Sequence, residues 1–221
     1  MAEQAELLSR LRALDCCALS DALDKLGLKG AVTHLPQQSG AGRIAGRAVT
    51  FKVAPGEPPP GPVRHLGTQA IEAAGPDNVI VVEQRSGVEA GCWGGLLTLG
   101  AKSRGVAGVV ADGPVRDIDE ARACQFPIFT NRTTSFTARG RVVEKTFNEP
   151  IKIGDVEVAP GDYVAADNSA VIVIKPDNIL RVVEAAEAIA ARERAMAKAI
   201  GEGKSISAVL GGDYEHMLAK E

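Results

Sequence analysis

Apolar residues recur first at helical spacing, then in short continuous runs, then in alternation, and finally at helical spacing again. Leu7, Leu8, Leu11 and Leu14 lie three and four residues apart and predict a helix over residues 5–14. Asp15 is placed to cap a second helix carrying Ala18, Leu19, Ala22, Leu23 and Leu26, with Gly27 at its end. Residues 29–43 read as a polar, glycine-containing loop. Alternation with β-branched residues predicts a strand from Arg43 to Val53, broken by the proline-rich stretch 54–62. A helix over 64–74 stops at Gly75-Pro76. Continuous apolar runs at 79–83 and 106–111 predict buried strands, and residues 127–130 another. Helices read between them, from Gly94-Gly95 to Arg104 and from Asp117 to Cys124. Strands that alternate with helices in this way predict parallel pairing.

Beyond Arg139 the pattern shortens. Strands are predicted over 142–147, 151–153, 156–158, 163–166 and 170–174, as a mostly antiparallel set. Gly154-Asp155 supplies a two-residue hairpin turn, and Pro160-Gly161-Asp162 another turn. Asp177 or Asn178 can cap a long helix whose apolar stripe is Val182, Val183, Ala186, Ile189, Ala190, Met196 and Ile200. It ends at Gly201 or Gly203, and a last amphipathic piece covers 206–218. A helix of this kind outside the β core is predicted to pack on a neighbouring subunit.

Composition narrows the class. The 221 residues suit one large domain, or one domain with an arm, and few aromatics leave Val, Ile, Leu and Ala to build the core. A net charge of −3 without long Lys/Arg runs argues against nucleic-acid binding. No apolar run is long enough to predict a membrane span, and the acidic N-terminus does not read as a secretory signal. Cys16, Cys17, Cys92 and Cys124 form no CxxC pair and read as reduced thiols of a cytoplasmic protein.

Candidate chemistry concentrates in residues 92–119. Glycines at 94 and 95 fall where a helix begins, and the first N–H groups of a helix attract anions. The same glycines could serve only tight helix packing. Asp112 ends a buried strand, and Arg116-Asp117 follows at its C-terminal edge, where open α/β sheets bind ligands. Arg116 can grip a carboxylate, and Asp117 can bind Mg²⁺ or Mn²⁺ through oxygen. Asp117 could equally be only the cap of the next helix, paired with Arg116. Taken together, the two turns could hold a 2-oxo acid, with Arg116 and a metal stabilising an enolate. No lysine suggests a Schiff base, and Cys92 has no histidine nearby to activate it. Ser20, Asp21 and His65 read as a solvated helix face and a surface residue, with a cleft role as the alternative.

The segments Gly91-Cys-Trp-Gly-Gly-Leu-Leu97 and Ala101-Lys-Ser-Arg-Gly-Val-Ala-Gly-Val-Val-Ala-Asp-Gly-Pro-Val-Arg-Asp117 resemble the RraA-like family. That family includes 4-hydroxy-4-methyl-2-oxoglutarate / 4-carboxy-4-hydroxy-2-oxoadipate aldolases and the regulator of ribonuclease E activity A. Ser20-Asp-Ala-Leu23, Phe126-Pro-Ile-Phe129 and Pro160-Gly-Asp162 extend the likeness over roughly residues 15–175. The resemblance implies an α/β fold, a swivelling β/β/α sandwich with a mixed sheet, as one domain over 1–221 with a helical extension over 178–221. It implies a class II pyruvate aldolase or oxaloacetate decarboxylase, assembled as a homotrimer or homohexamer, with a non-catalytic regulator as the alternative. Gly94, Gly95, Leu96 and Leu97 would bind the 2-oxo acid through backbone N–H groups. Arg116 would bind substrate and stabilise the enolate, Asp117 would ligate the metal, and Asp112 would hold metal-bound water. The chain departs from the family at Gly95, where many aldolases carry glutamate. Regulator-type members lack the carboxylate at the position of Asp117.

Overall fold

The computed structural model describes residues 2–62 and 64–211. Helix α1 (Ala2–Ala13) leads into α2 (Cys16–Lys25), whose cap is Asp15, its carboxylate accepting from the Ala18 N–H at 2.8 Å. Two very short strands follow, β1 (Ala31–Val32) and β2 (Gln37–Ser39), inside the stretch that reads as a loop. Neither is long enough to show alternation, and each exists because a distant strand offers it an edge. Strand β3 (Ile44–Ala54) is the longest. Helix α3 (Thr68–Ala73) starts later than the apolar pattern predicts, because Gly67 ahead of it is left-handed, with φ +77°. Then come β4 (Asn78–Glu83), α4 (Gly95–Ser103), β5 (Gly108–Asp112), α5 (Ile118–Ala123) and β6 (Ile128–Thr130). Strands β7 (Val143–Phe147), β8 (Ile151–Ile153), β9 (Val156–Val158), β10 (Tyr163–Ala166) and β11 (Val171–Ile174) complete the β structure. The long α6 (Ile179–Gly201) and a single turn, α7 (Ile206–Val209), close the described chain, so most of the predicted piece at 206–218 lies outside the described residues.

The main sheet runs in the order β1-β11-β10-β3-β4-β5-β6-β2, with β7 on the far half of β3. Strands β3, β4, β5 and β6 are parallel, as the β-α-β order predicts, and the remaining pairs are antiparallel. Side chains alternate between sheet faces, so odd and even positions of β3 mark two environments. Ala45, Val49 and Phe51 point toward the helices, and Ala48 points the other way. The helical face holds two apolar clusters, one under α3, α4 and α5, the other under α1, α2 and α6. The opposite face is covered by the β8–β9 hairpin, whose Ile151, Ile153 and Val158 bury against Val79, Val81, Val110 and Phe129. The layers are thus β/β/α, as the resemblance implies. Each such fully buried apolar side chain contributes about 1.5–3 kcal/mol.

Polar anchors dock the same hairpin. Glu83 accepts from the Lys152 N–H at 2.7 Å, and Asp112 accepts from the Gly154 N–H at 2.8 Å. The first half of α6 packs on its own chain rather than on a neighbour: Val182, Val183, Ala186 and Ile189 bury against α1 and α2. Arg10 forks onto Glu187 at 2.8 and 2.7 Å and ties α1 to α6. Beyond Ala190 the helix is largely exposed. Among the described residues, no helix is long and apolar enough to cross a membrane.

Candidate active site

The parallel strands continue past their C-terminal ends as three single-residue steps. Trp93 bridges Val115, and Val115 bridges Thr133, both in parallel. Arg116 N–H donates to Trp93 O at 3.0 Å, and Thr134 N–H donates to Val115 O at 2.9 Å. This lateral pairing sets the start of α4, the Arg116-Asp117 turn and residues 133–135 side by side at the C-terminal edge of the sheet. Val115, Arg116, Asp117, Glu120, Thr133 and Ser135 are among the residues lining an open cavity there of about 630 Å³.

The first turn of α4 is pinned from below. Trp93 is buried, and its indole Nε1–H donates to Thr98 Oγ1 at 2.9 Å, while Thr98 Oγ1 donates to Gly94 O at 3.0 Å. Gly94 caps the helix in extended backbone without a side-chain hydrogen bond. Gly95 N–H donates to Asp117 Oδ2 at 3.0 Å, so Asp117 performs the capping from a different element. The N–H groups of Leu96 and Leu97 belong to the first turn, which has no intrahelical acceptors. The Leu97 side chain is buried, whereas Leu96 is 86 % exposed.

Arg116 Nε lies 3.1 Å from both oxygens of Asp117, and both side chains are about one-third exposed. Asp117 itself sits in the left-handed region, with φ 57°. That conformation is uncommon outside glycine, though Asp and Asn tolerate it best. Both sequence alternatives for Asp117 hold in part: it precedes α5 and pairs with Arg116, but its side chain caps α4 rather than its own helix.

Three glycines make this packing possible by lacking a Cβ. A Cβ on Gly91 would meet Arg116 Cγ at 3.0 Å, and one on Gly94 would meet Asp117 Oδ2 at 2.9 Å. A Cβ on Gly95 would meet Glu120 Oε2 at 1.8 Å. The Gly-x-x-Gly-Gly spacing therefore admits charged side chains to the helix start, rather than only tightening helix packing. Glu120 is absent from the sequence reading, and Gly91 enters it only as the first residue of a quoted segment. Glu120 falls three residues after Asp117 on a helix, the spacing that places two side chains on one face, and that signal could have found it.

Asp112 is placed elsewhere. Its buried carboxylate accepts from Asn131 Nδ2 and Gly154 N–H, each at 2.8 Å, with Arg85 Nε at 3.3 Å and His34 Nε2 at 3.5 Å. It lines a separate cavity of about 450 Å³ and anchors the hairpin, and the structure does not bring it to Arg116 and Asp117. The strand's last side chain points toward the hairpin layer, while the chain turns through Gly113-Pro114 to carry Arg116 to the helical side. Cys92 is fully buried, its Sγ 3.2 Å from Pro114 O, and burial pushes its thiol up to about 12. It does not line the cavity beside Arg116. Asp21 is half-buried and its carboxyl is raised by that burial, while His65 is exposed and contacts the Leu66 carbonyl. Neither lines the cavity beside Arg116.

A family model described as Aldolase/RraA, RraA-like, matches residues 16–173. A Halalkalibacterium halodurans protein named "Putative 4-hydroxy-4-methyl-2-oxoglutarate aldolase" is 32 % identical over 200 residues, covering 87 % of this chain and 90 % of that one. Legionella pneumophila protein DlpA is 30 % identical over 200 residues, 90 % of this chain, and the chain spans only 32 % of that longer relative. Among solved structures, an uncharacterized protein from Pseudomonas syringae superposes with a TM-score of 0.84 at 28 % identity, covering 94 % of this chain and 98 % of that one. Streptomyces coelicolor RraAS2, described as an unusual member of the RNase ES inhibitor RraA family, has a TM-score of 0.73 at 22 % identity, covering 90 % and 96 %, a likeness of fold.

Proposed function

The chain belongs to the RraA-like family, and on that footing we propose that it is a divalent-metal-dependent lyase. It cleaves a C–C bond of a 2-oxo acid to leave pyruvate, as a 4-hydroxy-4-methyl-2-oxoglutarate-type aldolase, an oxaloacetate decarboxylase, or both. The observation that carries this reading is the contact of the α4 N-terminus with Asp117, which lines one open cavity together with Arg116. A 2-oxo acid offers a carboxylate and a keto oxygen. The N–H groups of Leu96 and Leu97 suit the carboxylate, since they lack helix partners and sit at the positive end of the helix dipole. Arg116 is the fixed positive charge beside them. Its guanidinium binds substrate and stabilises the oxygen that gains charge as the C–C bond breaks.

The donor set fits Mg²⁺ or Mn²⁺. Asp117 Oδ1 has only the shared Arg116 Nε as donor, which leaves it an acceptor position among the described residues. No three His, Cys, Asp or Glu side chains converge among the described residues. That suits a hard cation held by one or two carboxylates and water, rather than a zinc cluster. Asp117 would hold the ion, which when bound supplies Lewis-acid polarisation of the keto oxygen. With Asp112 committed to the hairpin, it is not assigned to this chemistry. The regulator reading is the weaker one, because Asp117 is present beside Arg116.

Leu96 and Leu99 expose apolar surface on α4, at 86 % and 54 %, which supports a homotrimer or homohexamer; free cysteines without a pairing pattern suit a reducing, cytoplasmic setting. Light scattering should give a mass at least three times the 23.0 kDa chain, and a monomer would remove the assembly proposal. The activity is tested on a panel of 2-oxo acids with pyruvate read by coupled lactate dehydrogenase. Turnover of none of them in the presence of Mg²⁺ or Mn²⁺ would overturn the lyase reading.

A further inference from the structure

Three carboxylates open α5, and they differ in what they touch. Asp117 faces Arg116 and the Gly95 N–H. Asp119 is 95 % exposed and pairs with Arg122 at 3.4 Å, within its own helix. Glu120 does neither. Its side chain makes no hydrogen bond or ion pair among the described residues, yet its Oε2 lies 1.8 Å from where a Cβ of residue 95 would be, and its Cδ 2.9 Å from it. The Cβ of Asp117 lies 3.3 Å from the same point. Two carboxylate-bearing side chains, one just before α5 and one within it, thus converge on the first turn of α4, with Arg116 as the only cation paired with either among the described residues.

Backbone geometry does not require glycine at 95. The residue is in α4 with ordinary helical dihedrals, outside the set of positive-φ glycines. Space is what requires it: any side chain there would displace the Glu120 carboxylate. A carboxylate at this place gains from the helix N-terminus but is repelled by Asp117 beside it. A bound cation relieves that repulsion.

On the footing of the proposed metal-dependent reading, we propose that Glu120 is the second carboxylate of the cation site, reaching it from α5 through the space that Gly95 leaves open. Glu120 is a positioning residue: it fixes the cation and its water rather than touching the reacting carbon. Gly95 is thus the partner that admits Glu120.

The test is Mn²⁺ binding alone, without substrate, measured by calorimetry and by the electron paramagnetic resonance of free Mn²⁺ on the full chain. Glu120→Gln should weaken Mn²⁺ binding about tenfold with the fold intact. Gly95→Ala should weaken it by a similar factor, because the blocking atom is the end of a flexible side chain that can swing away without unfolding the protein. Glu120→Gln with Gly95→Ala should be no worse than either alone, since both remove the same contact. Gly95→Asp with Glu120→Ala should recover most of the affinity by supplying the carboxylate from position 95. Wild-type affinity in Glu120→Gln or Gly95→Ala, with binding lost in Asp117→Asn, would overturn the role of Glu120 and leave the proposed function standing. Multiplying losses in the double variant would overturn the link between the two residues. Undiminished binding in Asp117→Asn, or no binding by the wild type, would remove the cation site itself.

Discussion

Asp117 combines a strained backbone with a capping carboxylate, and the two contributions can be separated by substitution. Asparagine keeps the side-chain shape, tolerates the left-handed region and still offers one oxygen to the Gly95 N–H. Alanine removes that acceptor and carries a Cβ at φ 57° without local hydrogen bonding. Placing an ordinary L residue in that region costs about 1–2 kcal/mol. A hydrogen bond to a charged acceptor contributes about 1.5–3 kcal/mol, and the 30 % exposure of Asp117 places this one at or below the lower end. Asp117→Ala should therefore destabilise the chain by about 2 kcal/mol, and Asp117→Asn by less than about 1 kcal/mol. Asp117→Gly falls between, since it relieves the backbone but not the lost acceptor. For a chain of this size each kcal/mol moves Tm by about 2–4 °C. Thermal denaturation followed by far-UV circular dichroism should rank wild type, Asn, Gly and Ala in falling order, with Ala lower than wild type by roughly 4–8 °C. An alanine variant melting with the wild type, or an asparagine variant melting below the alanine one, would refute this account of the turn.

Two further outcomes follow from the burial pattern. A thiol reagent at mildly alkaline pH should modify Cys17 in the native protein and reach Cys16 and Cys92 only on unfolding, because burial raises both buried thiols; native-state labelling of Cys92, read by peptide mass, would contradict its placement. Burial alone would raise the Asp167 carboxyl, but N–H groups of Cys16 and Ser169, each at 2.8 Å, and of Ala170 hold it below the ordinary carboxylate range. A depressed folded-state value means that its stabilisation is complete above the unfolded pKa near 3.9 and is lost as pH falls through the folded value. Asp167→Asn should lower stability at neutral pH and flatten its dependence below about pH 4, and an acid denaturation curve parallel to wild type would exclude that role.

The parallel centre of the sheet is readable because strands buried on both faces leave continuous apolar runs, as at Val79–Val82 and Val109–Ala111. The Gly154-Asp155 turn likewise announces its hairpin. What the sequence does not disclose is where that hairpin lies. Its docking depends on Glu83 and Asp112 reaching backbone N–H groups at Lys152 and Gly154, far along the chain. The same long-range contact takes Asp112 away from the site its neighbours form. Strands β1 and β2 escape notice because two or three residues carry no period and pair only with β11 and β6. In α6, the first part of the apolar stripe, Val182 to Ala190, meets α1 and α2, whereas Ile200 stays exposed. Arg116 and Asp117 were legible as a charged turn after a buried strand. Glu120 was not singled out, since its meaning depends on the empty Cβ position at Gly95 across two helices.

The most direct test of the central claim is pyruvate release from oxaloacetate by wild type and Asp117→Asn, both shown to be folded, with Mn²⁺ and with EDTA. The wild type should release pyruvate with Mn²⁺ and stop with EDTA. Asp117→Asn should lose at least about 100-fold in kcat/KM, roughly 2.7 kcal/mol of transition-state stabilisation. Metal-independent release by the wild type, or an undiminished rate in Asp117→Asn, would contradict a site built on Arg116, Asp117 and the start of α4.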